Sequence, residues 1–229
     1  MAKILMVLTG ADSWTLKDGT QHPTGFWAEE VVVPYQALKA AGHQVAVATP
    51  GGVVPTADAG SLTAEFSGGG ARTMQEAVDA MAELRTPLVL ADVAVGDYDA
   101  VLYPGGHGPM EDLAVDADSG RLLTAALASG KPLAVVCHGP AALLAARRED
   151  GTSAFAGYRV AAFTNAEEIQ AGLGDRAKWL LQDRLEADGV VVEVAEPWTS
   201  HVVVDRNLIT GQNPMSSARL AEELVKRLG

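Results

Sequence analysis

The sequence predicts an α/β fold, a doubly wound parallel sheet with helices on both faces. Three observations carry that prediction. Short, nearly continuous apolar runs, such as residues 3–9 (KILMVLT) and Leu133–Val136, suit strands buried on both faces. They alternate with longer windows of helical periodicity, the pattern of parallel strands joined by crossovers. One apolar run ends abruptly in Val136-Cys137-His138-Gly139-Pro140, a tight strand-to-helix turn of the kind that presents a nucleophile. An all-β sandwich cannot house so many helical windows. The predicted architecture is therefore flavodoxin-like, with a nucleophile elbow at Cys137.

The elements follow in order. Residues 3–9 give the first strand. Residues 26–41 read as a helix, with Phe26, Glu30, Val33, Ala37, Leu38 and Ala41 near one face and Gly42 as its stop. Pro34 should kink or split it. Gln44–Thr49 is a strand closed by Pro50-Gly51-Gly52. Residues 51–72, rich in Gly, Pro, Thr and Asp, form a long irregular excursion. Residues 73–84 are helical, and Ala100–Tyr103 is a strand that stops at Pro104-Gly105-Gly106. A helix over 120–128 leads to Leu133–Val136, the central strand by its hydrophobicity. A short apolar helix over 141–146 follows. Residues 158–162, 190–194, 201–204 and 208–210 are predicted strands. Residues 177–188 and 216–228 are helices, the last capped by Ser216 or Asn213. There are no internal repeats, and the 229 residues suit a single domain spanning 1–229.

Composition excludes several classes. The chain is 48% hydrophobic, too apolar for disorder, and its single cysteine permits neither an intrachain disulfide nor a cysteine-based zinc site. No apolar stretch reaches the roughly 18 residues of a membrane span, and residues 4–8 are too short a run for a signal peptide. The formal charge of −12, without basic clusters, argues against nucleic acid as a partner. These features lead us to expect a soluble, cytoplasmic protein acting on a small molecule or on protein.

Three places can carry chemistry. Cys137 sits at a helix start, where a thiol pKa is expected to fall and main-chain N–H groups face a substrate. A small buried space-filling cysteine is the plainer alternative. Tyr103-Pro104-Gly105-Gly106-His107-Gly108 brings three glycines after a strand, as an oxyanion hole or an ordinary strand exit requires. Glu29-Glu30 lies within the first helix. Glu30 shares a face with Phe26 and Val33, where a carboxyl pKa rises and proton transfer becomes possible; Glu29 reads as solvated. The five histidines show no metal-ligand spacing, and His201 reads as structural. No cofactor or metal is expected.

Taken together, Thr24-Gly25-Phe26-Trp27-Ala28-Glu29-Glu30 leading to Pro34-Tyr35, PGGHG at 104–108 and AVVCHGPAAL at 134–143 resemble the ThiJ/PfpI superfamily. So do Phe163-Thr164-Asn165-Ala166-Glu167-Glu168 and the stretch 208–214. That superfamily shares its fold with class I glutamine amidotransferases. The resemblance covers essentially the whole chain. It points to the longer branch of glutathione-independent glyoxalase III and heat-shock chaperone-like proteins, with insertions near 10–25, 51–72 and 165–200. It implies Cys137 as nucleophile, His138 as its neighbour, Glu30 as the helix glutamate, and the Gly106 and His138 amides as oxyanion hole. A third acid is implied at Glu167 or Glu168, with Asn165 close by; Glu168 is our choice. Val135, and the absence of an acid two residues after His201, set the chain apart from true amidotransferases.

The function so implied is conversion of methylglyoxal or glyoxal to lactate or glycolate without a cofactor. Cys137 forms a hemithioacetal, and His138 or Glu30 moves a proton from C1 to C2. The alternatives from the same resemblance are a stress-response chaperone, a protein deglycase, a cysteine redox sensor or a weak peptidase. It also implies a homodimer.

Overall fold

The computed structural model describes residues 1–63 and 71–229. Among the described residues, seven strands form the main sheet: β1 (Lys3–Val7), β4 (Gln44–Thr49), β5 (Leu88–Val89), β6 (Ala100–Tyr103), β7 (Leu133–Val136), β10 (Val202–Asp205) and β11 (Leu208–Gly211). Their order across the sheet is β10-β11-β7-β6-β1-β4-β5. All neighbours pair parallel except β10, which folds back on β11 through the Asp205-Arg206-Asn207 turn. Burial explains the apolar runs: β6 and β7 are buried at every position, as are Ile4 to Leu8. Helices flank the sheet, giving the α/β architecture read from the sequence.

The helices are α1 (Ala28–Ala40), α2 (Ala71–Ala80), α3 (Ala117–Ser129), α4 (Asn165–Gln170), α5 (Leu181–Ala187) and α6 (Ser217–Leu228). Helix α1 packs on α6 and against β4. Pro34 lies inside α1, and the helix runs through it as a single element. Asp116 caps α3 by accepting from the Ser119 N–H, and Gly130 closes it in a left-handed conformation.

Several expectations change. The central place in the sheet belongs to β6; β7 is its neighbour. The apolar segment after Cys137 is a 3₁₀ helix, Gly139–Ala145, and not an α-helix; Gly139 at its start packs against the backbone of Tyr103 and Pro104. The strands predicted over 158–162 and 190–194 shrink to β8 (Arg159–Val160) and β9 (Val191–Val192), which pair with each other outside the main sheet. The helix predicted from 177 begins only at Leu181. Ser216 stands at the start of α6, but its hydroxyl bonds His201 O rather than capping the helix. The segment 10–25 carries a small hairpin, β2 (Ser13–Thr15) with β3 (Gln21–Pro23), that the sequence reading left unassigned. Part of the 51–72 excursion lies outside the described residues.

The topology sets the site. Strands β6 and β7 are adjacent and parallel, with Tyr103 level with Val135. Their carboxyl ends therefore release Pro104-Gly105-Gly106 and Cys137-His138 side by side, at the edge where ligands bind in open α/β sheets.

Candidate active site

Cys137 adopts φ +60, a conformation rarely taken by residues other than glycine. Its main-chain N–H is tied to Gly211 O on β11, and its carbonyl accepts from Phe163 N–H. These bonds hold the strained turn between two neighbouring segments, as a nucleophile elbow requires. The sulfur is buried and lies 3.4 Å from Nδ1 of His138. His138 Nε2 lies 2.7 Å from Glu168 Oε2. Glu168 is a buried carboxylate and only accepts, so His138 carries its proton on Nε2. That leaves the Nδ1 lone pair toward the sulfur.

Glu168 also receives His107 Nε2, at 2.8 Å on its other oxygen. One carboxylate thus spans two imidazoles, whose ring centres are 4.1 Å apart. Burial alone would raise the Glu168 pKa, but His138 and His107 outweigh it and hold the group as a carboxylate. Burial, then His107, lowers the His138 pKa, so the ring is neutral at neutral pH. His107 is further positioned by stacking on Trp14, 5.0 Å between ring centres.

Glu30 approaches from α1, fully buried. Its Oε2 accepts a 2.6 Å bond from the Gly105 amide, and its carboxyl faces the Cys137 thiol. Oε1 has no oxygen or nitrogen partner. Burial raises the Glu30 pKa to about 8. The same burial, and the Glu30 carboxyl beside it, push the Cys137 thiol well above its usual range, against the lowering that its position at a helix start predicted. The segment after Cys137 is a short 3₁₀ turn, whose weak dipole does not offset desolvation. Burial at this position thus favours the thiol over the thiolate.

Gly106 directs its amide at the sulfur. It has φ +85, and a Cβ there would fall 2.3 Å from Gly25 O. A Cβ on Gly105 would fall 2.6 Å from His138 N and 2.9 Å from Glu30 Oε2. The glycines after β6 are therefore required by close backbone approach around the cysteine.

The sequence-predicted residues Cys137, His138, Glu30, Glu168 and Gly106 all meet here. Glu167 does not: it faces away, completing a capping box with Thr164 and accepting from Trp198 N, Gln212 Nε2 and Asn213 Nδ2. Asn165 bonds Asp183 and Gln182. Glu29 is half-buried rather than solvated, and burial raises its pKa. His201 lies apart, bonded through its backbone to Ser216. The sequence marks the Gly-rich motif around His107 but carries no signal for the role of its ring. Asp58 and Trp198 had no local signal at all.

A cavity of about 390 Å³ opens above the sulfur, walled by Trp27, Phe163, Leu173 and Trp198 and reached by His22, His107 and Asp58. Trp198 also has positive φ, +59, and its indole N–H donates to Gln170 Oε1. His107, His138 and Glu168 place three ligating atoms within 4.8 Å of one another, but both imidazoles are already committed to Glu168. Among the described residues no helix is long and apolar enough to cross a membrane.

Fold and site together define an α/β protein with a buried Cys–His–carboxylate centre on a nucleophile elbow. The chain belongs to the DJ-1/PfpI family, whose model matches residues 23–227, in line with the resemblance read from its motifs. Among curated proteins it is similar to the protein/nucleic acid deglycase HchA of Staphylococcus aureus. One strain's protein is 30% and another's 31% identical, each alignment covering 99% of this chain and 80% of the relative. Among solved structures, the rapid encystment protein REP24 of Francisella tularensis superposes with TM-score 0.85 at 27% identity, over the full length of both chains. Glyoxalase III of Candida albicans superposes with TM-score 0.84 at 24% identity, covering 99% of this chain and 97% of that one, and attests the fold.

Proposed function

We propose that the protein is a cysteine-dependent deglycase that releases amines from early methylglyoxal adducts and converts the dicarbonyl fragment to lactate. The observation that carries this reading is the Glu30–Cys137–His138–Glu168 arrangement at the floor of a cavity, in a chain whose curated relatives are named deglycases. Those names support the deglycase alternative of the sequence reading above a dedicated glyoxalase. Free methylglyoxal joins the same route when the thiol adds to its aldehyde, with no amine to release. The relatives' names include nucleic acid, so the net charge of −12 does not by itself exclude glycated bases as substrates.

The steps balance without an external oxidant. His138 Nδ1 takes the thiol proton as sulfur attacks C1 of the adduct, and the amine departs with a proton from the imidazolium. This leaves a hemithioacetal. Glu30 accepts the C1 proton on Oε1 and returns it to C2 through an enediol. C1 is oxidised to a thioester as C2 is reduced to an alcohol. Water then cleaves the thioester, giving lactate and the free thiol. The net change is adduct plus water to amine plus lactate. The Gly106 and His138 amides stabilise the developing oxyanions. Glu30 suits the carbon-to-carbon transfer because its pKa, near 8, permits both directions at neutral pH.

The test is lactate formation from methylglyoxal-treated N-acetyl-lysine, without glutathione. Free methylglyoxal is followed in parallel, so that direct release is separated from scavenging. Wild type should form lactate from adducts faster than free methylglyoxal appears spontaneously. An active Cys137→Ala protein would refute the mechanism. Lactate formation limited by spontaneous adduct breakdown would leave only a glyoxalase.

A further inference from the structure

The cavity above Cys137 is not neutral in its choice of substrate. Its walls present Trp27, Phe163 and Trp198, with apolar Leu173, Pro23 and Pro214 between them. Its charged contribution is a carboxyl: Asp58 lines the wall, only 9% exposed, accepting from Thr24 Oγ1 and Gly60 N. Behind the floor stand the carboxylate of Glu168 and the carboxyl of Glu30. Among the described residues lining the cavity there is no lysine or arginine. Basic side chains are available elsewhere: Arg147, Lys178 and Arg184 gather around a separate cavity of about 490 Å³.

Size adds a second constraint. Methylglyoxal would leave most of the cavity unfilled, since pockets of this volume hold much larger ligands. The fold also maintains strain here. Besides Arg206 in the β10–β11 turn, the described non-glycine residues with positive φ are Cys137 and Trp198, one on the floor and one on the wall. Trp198 is pinned by Glu167 on its amide and Gln170 on its indole, and its ring stands 5.5 Å from Phe163. Strain held in place by such bonds marks a wall built for contact.

We infer that the site selects carbonyl substrates with a bulky apolar or aromatic body that is uncharged or cationic, and rejects those whose body is anionic. Aromatic faces attract cations, and Asp58 complements them. A carboxylate or phosphate would be desolvated beside existing carboxyl groups with no lysine or arginine in the lining to pair it; Arg176, whose charge reaches His22, stands outside that lining. The inference rests on the carbonyl chemistry proposed for Cys137 and names its substrate class.

The experiment compares kcat/KM for phenylglyoxal, 4-carboxyphenylglyoxal and 4-(trimethylammonio)phenylglyoxal, which share one reacting group and differ in charge. We expect the neutral and cationic compounds to exceed the anionic one by about a hundredfold or more. Ala171→Arg, which sets a cation at the cavity rim, should narrow that gap at least about tenfold. Phe163→Ala and Trp198→Ala should lower the ratio of phenylglyoxal to methylglyoxal turnover. Equal rates for the three charges overturn the inference. Binding to Cys137→Ala is measured alongside by tryptophan fluorescence with acetophenone, 4-acetylbenzoate and 4-acetylphenyl-trimethylammonium. If wild type turns over no dicarbonyl yet binding keeps the charge order, the chemistry fails and the selectivity stands. If binding shows no order, the selectivity fails whatever the chemistry.

Discussion

The Nδ1 of His138 lies 3.4 Å from the sulfur of Cys137, the residue immediately before it. Adjacent residues on a strand point to opposite faces. They meet here because Cys137 has left-handed backbone geometry, φ +60, which turns His138 back over its neighbour. Glu168 then fixes the tautomer from the far side of the ring.

Glu168→Gln should therefore be a chemical lesion and Glu167→Gln a structural one. The amide at 168 offers a donor as well as an acceptor, so the His138 tautomer is no longer dictated. We expect kcat/KM to fall about a hundredfold or more, with a small change in Tm. At 167 the loss strikes the capping box and the bonds to Trp198, Gln212 and Asn213. That variant should lose about 1–3 kcal/mol of stability, read as a lower Tm. Thermal unfolding and steady-state kinetics on both proteins separate the two outcomes.

Glu30 makes stability depend on pH. Its pKa is raised from 4.5 to about 8 on folding, so the folded chain holds a proton that the unfolded chain releases. Its contribution is fully present below pH 4.5, declines as pH rises and is lost through pH 8. Between these limits the wild type should lose a few kcal/mol that Glu30→Gln does not, since the amide cannot ionise. Urea unfolding of both proteins at pH 5, 7 and 8.5 reads the difference, and parallel pH dependence would contradict it.

The glycines after β6 are predicted to tolerate no side chain. Gly105→Ala places a methyl group 2.6 Å from the His138 amide and 2.9 Å from Glu30 Oε2. Both neighbours belong to the site, so activity should fall more than about tenfold even where the protein still folds. Far-ultraviolet circular dichroism with kcat/KM tests this. Gly96→Ala, at a position with open space around its Cα, serves as the control.

Much of this organisation is legible in the sequence because burial writes it there. Ile4 to Leu8 and Leu133–Val136 are apolar at every position since both sheet faces are covered. The Cys137 and Gly105-Gly106 turns are visible because strand ends and glycines are local signals. The rest is non-local. Glu167 and Glu168 are adjacent acids in one helix start, and the 3.6-residue repeat sends one to the cap and the other to His138. Only the packing of α4 against the Cys137 turn decides which. The thiol pKa is misjudged from sequence for the same reason: a helix-start position is local, whereas the burial that raises it comes from α1 and the sheet. Trp198 and Asp58 reach the cavity from separate segments with no shared pattern.

The second imidazole on Glu168 provides the last prediction. His107 and His138 draw on one carboxylate, and His107 is the second cause, after burial, of the lowered His138 pKa. Replacing His107 with Phe preserves an aromatic ring against Trp14 but removes a potential positive charge and leaves Glu168 to His138 alone. The His138 pKa should then rise. If neutral His138 is the base that deprotonates Cys137, activity is lost as pH falls through that pKa. The acid limb of the kcat/KM profile should therefore move to higher pH in His107→Phe, with the plateau less affected than in Glu168→Gln. An acid limb that stays in place, or moves to lower pH, would mean that His107 does not act on His138 through the shared carboxylate.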